Sequence, residues 1–310
     1  MRDTVYLGVA GACAEQKANA VTAYTLEGIS FSNFGTATGY TPVEIVNSPS
    51  EMVLAHEPGS AEKIHSFTFD DDAVPSFSTV NDTISLTNKN PRALAFGDNG
   101  NYIYIGGTVS SSNIVRYALS TAYDISTAGT TQTVNSSLYS SGAQGLAFND
   151  DGTKLFVADG GSVITLTLTT AWDLSAGTKT TNSFTSVTDS DGDLINNFTG
   201  IRFKPDGTKM FVSYRNSFGD AALTVNHAKI AEFDLSTPFT VSSASFARSL
   251  DTHPNLGYFD FVPAPPPPST RPTLIAGFDW NSDGTKLYIA AVHQDALDSQ
   301  GPKVLRYTFS

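Results

Sequence analysis

Gln144-Gly-Leu-Ala-Phe-Asn-Asp-Asp-Gly-Thr-Lys-Leu-Phe-Val-Ala158 decides the fold. A short apolar strand runs into an Asp-Gly pair and leaves it as a second apolar strand. Asp-Gly at this place predicts a tight hairpin, because such turns need residues that accept positive φ. Three further stretches align with it: Arg92 to Gly106, Thr199 to Ser213 and Ala276 to Ala290, with turns at Asn99-Gly100, Asp206-Gly207 and Asp283-Gly284. A weaker copy, Val43 to Ala55, precedes them by about one period.

Each hairpin is followed by an alternating third strand: Ile114–Leu119, Val163–Leu168, Ile230–Leu235 and Val304–Phe309. A tail then recurs as Ser120-Thr-Ala-Tyr-Asp-Ile-Ser, Thr169-Thr-Ala-Trp-Asp-Leu-Ser and Ser236-Thr-Pro-Phe-Thr-Val-Ser. A Thr/Ser-rich fourth strand such as Thr130 to Ser137 completes the unit. Four antiparallel strands in about fifty residues describe a propeller blade. No sustained helical periodicity competes with this reading.

The sequence therefore predicts an all-β fold: residues 1–310 as a single β-propeller of about six four-stranded blades, with five or seven as alternatives. The repeats fall at about 1–40, 41–90, 91–142, 143–197, 198–250 and 274–310. Residues 251–273 form a Pro-rich insertion around Ala264-Pro-Pro-Pro-Pro-Ser269, read as a stiff surface spacer. Units 1–40 and 274–310 are each one strand short, and of different kinds, so simple sharing of one blade does not repair both. Asn255 to Val262 or a neighbouring chain are the candidates to supply a strand. Residues 215–228 and 294–303 lengthen loops between strands two and three, which places both on one face.

Composition narrows the partners. With 18 Lys+Arg against 30 Asp+Glu, the net charge of −12 repels phosphate backbones, so no nucleic-acid binding is expected. Charged residues are 15% and hydrophobic residues 40%, enough for a core. No apolar run is long enough for a membrane span. Cys13 is the only cysteine, so no internal disulfide forms, and it reads as a buried thiol. The N-terminal stretch reads as a strand rather than a signal peptide.

The chemistry-bearing residues are few. Asp189-Ser-Asp-Gly-Asp193 places Asp189, Asp191 and Asp193 at alternating positions, a pattern that hard cations favour, and makes calcium the candidate metal. It departs from an EF-hand at Leu194 and Gly200. Its competing reading is a solvated acidic turn. Asp70-Asp-Asp72 is a second acidic run. His56, His65, His227, His253 and His293 show no zinc spacing, although His227 and His293 sit in the two long loops. No nucleophile elbow and no phosphate loop occur, so no catalytic or cofactor-binding residue is assigned and the chain is expected not to be an enzyme. Tyr104, Phe156, Phe211 and Tyr288 share one strand position and are expected in the core.

The hairpin at 145–157 followed by Leu168-Thr-Thr-Ala-Trp-Asp-Leu-Ser175 resembles propeller repeats of bacteriophage structural proteins, marine phages above all. The resemblance spans about residues 85–310. It weakens over the first 40 residues and at Pro238-Phe239-Thr240, which replaces Ala-Trp-Asp. It implies a non-enzymatic virion protein: a tail fibre, tail-associated or capsid-decorating component on the virion surface. Its partners would be other virion proteins, copies of itself, or a host-surface glycan or protein. Two alternatives stay open. One is an exported, secreted or cell-surface bacterial binding module; the other is a calcium-dependent propeller hydrolase or lactonase.

Overall fold

In the computed structural model, the described residues are 18–25, 42–47, 51–56, 62–68, 81–86, 89–109, 114–135, 138–139, 141–189, 192–215, 228–251, 273–281, 286–293 and 303–309. They form five four-stranded antiparallel sheets. The first strand, β1 (Ala18–Thr25), belongs to the last sheet. Blade one is β2 (Pro42–Asn47), β3 (Glu51–His56), β4 (Glu62–Thr68) and β5 (Asp82–Leu86). Blade two is β6 (Lys89–Gly97), β7 (Tyr102–Val109), β8 (Ile114–Leu119) and β9 (Ala128–Thr133). Blade three is β10 (Gly145–Phe148), β11 (Lys154–Asp159), β12 (Ser162–Leu168) and β13 (Gly177–Ser183). Blade four is β14 (Phe198–Phe203), β15 (Lys209–Arg215), β16 (Ala228–Leu235) and β17 (Ala244–Asp251). Blade five is β18 (Thr273–Trp280), β19 (Lys286–His293) and β20 (Lys303–Phe309), with β1 as its outer strand. Among the described residues, helix is limited to two 3-10 turns, Ile125–Thr127 and Val241–Ser243.

The inner strands β2, β6, β10, β14 and β18 pack beside one another in that order, and β18 returns to β2. The sheets thus close a ring, the propeller that the repeats predict. Among the described residues the blades number five, fewer than the about six expected and one of the two alternatives. The two incomplete end units are one blade: β1 pairs antiparallel with β20 through Val21↔Tyr307 and Ala23↔Leu305. Blade five needs an outer strand to satisfy the edge of β20, and β1 supplies it. Simple sharing of a blade by the two ends therefore suffices, contrary to expectation. The candidate strands at residues 4–10 and 255–262, and the Pro-rich insertion, lie outside the described residues.

The period of two in a strand explains the core. Alternate side chains point to opposite faces of a sheet, so each blade feeds the interfaces on both its sides. In β11, Leu155 and Val157 join Tyr104 and Leu146 between blades two and three. Phe156 and Ala158 of the same strand join Ile201, Met210 and Phe233 between blades three and four. Tyr104, Phe156, Phe211 and Tyr288 are all buried, as expected.

One rung of the inner strand is bulged in four of the five blades. Two residues oppose one at Pro42/Glu44, Pro91/Ala93, Phe198/Gly200 and Ile275/Gly277. In blade three, Gln144 donates its N–H to the Ala158 carbonyl beside the Gly145↔Ala158 pair. A bulge re-aims the extra residue. At Gly145 the inner strands come so close that a Cβ would lie 2.7 Å from Gly200 Cα.

Candidate functional site

The two ends of the ring are built differently. At one end lie the tight turns after the inner strands, where each recurring tail folds back. Trp172 sits at φ 65° and Gly152 at φ 68°. Trp172 N–H donates to Gly152 O at 2.9 Å, and its indole covers the glycine. Tyr123 over Gly100 and Phe239 over Gly207 repeat the arrangement at 2.9 and 3.0 Å. The tail Asp173 then accepts from Ser175 N–H at 2.8 Å, as Asp124 does from Ser126. The preceding blade holds the strained aromatic's carbonyl. Tyr104 Oη donates to Trp172 O at 2.7 Å and Arg116 at 2.8 Å, while Lys154 donates to Phe239 O at 3.0 Å. The recurring tail is a structural clamp on this end.

The other end carries the connections between strands two and three and between blades. Residues 216–227, 252–272 and 294–302 all leave the ring there, from the ends of β15, β17 and β19. At this end the structure brings together Asp189, Asp193, Tyr214 and Lys229. Asp189 Oδ2 accepts from Tyr214 Oη at 2.7 Å and from Lys229 Nζ at 2.8 Å. Its Oδ1 accepts from Asp193 N–H at 2.9 Å, and Lys229 also donates to Asp193 Oδ2 at 3.0 Å. The Asp189 and Lys229 side chains are 0% and 2% exposed. Burial alone would push the Asp189 carboxyl up, but the bonds from Lys229 and Tyr214 hold it below the usual carboxylate range. Burial and the Asp189 charge push the Tyr214 phenol far up. The end thus holds a carboxylate kept anionic and a phenol kept protonated.

Of the three carboxylates proposed for calcium, Asp189 and Asp193 face the Lys229 ammonium, which supplies the positive charge in this cluster; Asp191 lies outside the described residues. Among the described residues no group of three His, Cys, Asp or Glu side chains converges. Cys13, Asp70 to Asp72, His227 and His253 also lie outside them, while His56 and His293 end β3 and β19. Lys229 and Tyr214 gave no signal in the sequence. Lys229 sits in Ala228-Lys-Ile-Ala-Glu-Phe-Asp-Leu235, which reads as an ordinary alternating strand, and only the third dimension shows its partner.

The next junction back also sets a buried phenol near a carboxylate. Here the loop supplies Tyr139 and the strand supplies Asp159; burial, then that carboxylate, push the phenol up. Beyond Tyr214, Arg215 ends β15, its N–H donating to Asn197 O at 3.1 Å. Burial lowers its proton affinity, and the charge of Arg92 from blade two lowers it further. Nearer the turn end, Arg202 bridges three inner strands. Its Nη1 donates to Leu146 O at 2.9 Å and Ile201 O at 2.8 Å, and its Nε to Asp279 at 3.0 Å.

His65 of β4 is buried, with Nδ1 2.8 Å from Thr83 Oγ1. Burial first, and Lys63 second, lower its pKa to about 4 from 6.5. The unfolded chain therefore takes up a proton that the fold does not between those values. Stability from this residue is present above pH 6.5 and is lost as pH falls toward 4, by up to about 1.4 kcal/mol per pH unit. His65→Gln is expected to flatten that part of the pH profile in urea unfolding; an unchanged slope would assign it to other groups.

No protein-family model matches the chain, and no curated protein matches it. Solved structures similar to it include a candidate 6-phosphogluconolactonase from Bacteroides uniformis ATCC 8492, 15% identical over 84% of this chain and 68% of that one, with a TM-score of 0.40. Another candidate 6-phosphogluconolactonase, from Bacteroides fragilis NCTC 9343, is 15% identical over 88% of this chain and 70% of that one, with a TM-score of 0.42. Kluyveromyces lactis Hsv2 is 12% identical over 88% and 73%, with a TM-score of 0.36. At these values no activity passes to this chain. The expectation of a virion structural protein is nonetheless corrected: two of these similar structures are named as candidate lactonases, and no family model or curated protein ties the repeat to a virion. The physical reason lies in the motif that suggested it. Turn glycine, tail aromatic and tail aspartate are the parts of the clamp, so they report the build of a blade.

Proposed function

We propose that the chain takes a small ligand at the loop-bearing end of its ring, and acts on it as a propeller hydrolase. The observation that supports this reading is the asymmetry of the ring. Three long connections join strand ends on one side, beside buried ionised groups, whereas on the other side blades two to four end in tight turns under aromatic clamps and one connection, 69–80, is comparably long. Rigid scaffolds carry function on such loops, and biased protonation states mark such sites. Asp189 held anionic and Tyr214 held as a phenol are bonded to each other away from water, so they fix the charge and shape of that end.

The test is a turnover panel of 6-phosphogluconolactone (the substrate in the names of the two similar structures), a neutral lactone and an aryl ester, with hydrogen exchange to locate bound compounds. Turnover is expected for at least one compound. Protection is expected at Arg215, Ala228 and His293, which flank the long connections, and both effects should vanish when residues 216–227 are replaced by a short Gly-Ser link. Protection confined to the turn end, or no binding across the panel, overturns the reading.

A further inference from the structure

The repeat sets each junction between blades beside a near copy of itself. Where blades two and three meet, one rung of blade two runs Tyr104↔Arg116↔Gln132 and reaches the tail of blade three. Tyr104 Oη and Arg116 Nη1 donate to Trp172 O, and Gln132 Nε2 donates to Asp173 Oδ1 at 2.7 Å. Bonds from Ser175 first, then from Gln132, and the Arg116 charge hold the Asp173 carboxyl below the usual range.

The junction of blades one and two has the same build. β5 packs against the 3-10 turn Ile125–Thr127, and Ile84 joins Ile125 in the core, as Val134 joins Leu174 one junction on. The rung Val53↔Ser66↔Asp82 takes the place of Tyr104↔Arg116↔Gln132, and the tail residues Tyr123 and Asp124 take the places of Trp172 and Asp173. Asp82 and Asp124 therefore stand where Gln132 and Asp173 are bonded.

The chemistry differs. An amide donating to a carboxylate is replaced by two carboxylates. Arg116 is replaced by Ser66, whose Oγ is fully buried and has no hydrogen-bond partner. Neither Val53 nor Ser66 thus donates to the Tyr123 carbonyl. The place of Lys154, which donates to Phe239 O one junction further on, holds Glu51. Asp124 Oδ1 keeps the bonds from Ser126, which bring no positive charge, and Asp82 forms no ion pair among the described residues. Burial, then the Asp124 charge, raise the proton affinity of Asp82. Two carboxylates set together among oxygen atoms, with no cation, are a costly arrangement that a bound hard cation relieves.

We propose that Asp82 and Asp124, with the Ser66 hydroxyl and the Tyr123 carbonyl, form a divalent-cation site that ties blade one to blade two at the turn end of the ring, and that calcium is the ion it takes. The donors are all oxygen, come from two blades and leave room for water, which suits the loose coordination of calcium better than the strict octahedron of magnesium. The site is independent of the ligand reading at the loop-bearing end.

The experiment uses the full chain, stripped with EDTA, and calcium chloride as the probe, read by calorimetry and thermal unfolding. Calcium is expected to bind the wild type and raise its melting temperature, with at least tenfold weaker binding in Asp82→Asn and in Asp124→Asn. Asp191→Asn, in the other acidic run, should bind as the wild type does. Asp82→Gln is the sharper variant, because it installs the residue that blade two carries at this rung. Without calcium it should melt above the wild type, since an amide then faces Asp124; saturating calcium should reverse the order, because only the wild type responds. Magnesium should raise the melting temperature less, and an equal response overturns the assignment to calcium. If calcium does not bind the wild type, if the Asp82 and Asp124 variants bind it as well, or if only Asp191→Asn loses it, the site is refuted. If acid rather than calcium stabilises the wild type, and Asp82→Gln loses that response, the two carboxylates share a proton and the cation is refuted.

Discussion

Lys229→Met is expected to destabilise the fold by about 3–5 kcal/mol at pH 7, because it leaves a buried carboxylate without its cation. The side chains concerned are almost wholly out of water, so little solvent can replace the lost ammonium. Methionine keeps most of the length of the side chain, so the change is mainly one of charge. The bonds from Tyr214 and Asp193 N–H bring no positive charge to replace it. Two consequences identify the cause. First, the folded pKa of Asp189 in the variant rises above its unfolded value, so the stability tied to its proton is present at low pH and lost as pH rises. The variant should therefore lie closer to the wild type at pH 4 than at pH 7. Second, Lys229→Met with Asp189→Asn should cost less than the sum of the single changes, since the orphaned charge is gone. Additive losses in urea unfolding would show that the pair is not coupled.

Gly152→Ala should be the most damaging single methyl in the turns, at about 2–4 kcal/mol. Two effects combine. An alanine at φ 68° lies in the left-handed region, which costs about 1–2 kcal/mol. Its Cβ would also stand 2.0 Å from Trp172 Cε2, and something must then move. The indole cannot move cheaply, because its own backbone is fixed by Gly152 O on one side and by Tyr104 and Arg116 on the other. Adding Trp172→Ala to Gly152→Ala should remove the collision and leave mainly the backbone cost, so the double variant should lose less than the sum. Strict additivity in denaturant melts would mean that the ring does not clamp the turn.

How much of this was readable beforehand depends on the range of the interaction. The Asp-Gly turns, the four strands and the aromatic position of Tyr104, Phe156, Phe211 and Tyr288 were legible because local geometry repeats and strands alternate. The tail aromatic was legible as a motif but not as a clamp. Nothing in Ala-Trp-Asp announces a positive φ at Trp172, which exists only because Gly152 lies beneath it. Closure of the ring was misjudged because β1 carries no mark of its partner β20, at the far end of the chain. The Asp189 cluster was half legible. Alternating carboxylates invite a cation, but that the cation is Lys229, forty residues on in another blade, follows from packing alone.

The pairing of β1 with β20 also sets a clock. β1 waits for a strand made much later, so blade five is complete only once β20 has emerged. Contacts so distant along the chain form late, after the loop-closure entropy has been met. Blades one to four can order as they emerge, each from neighbours in sequence, whereas the joining of β1 to β20 is the step that turns a row of sheets into a ring.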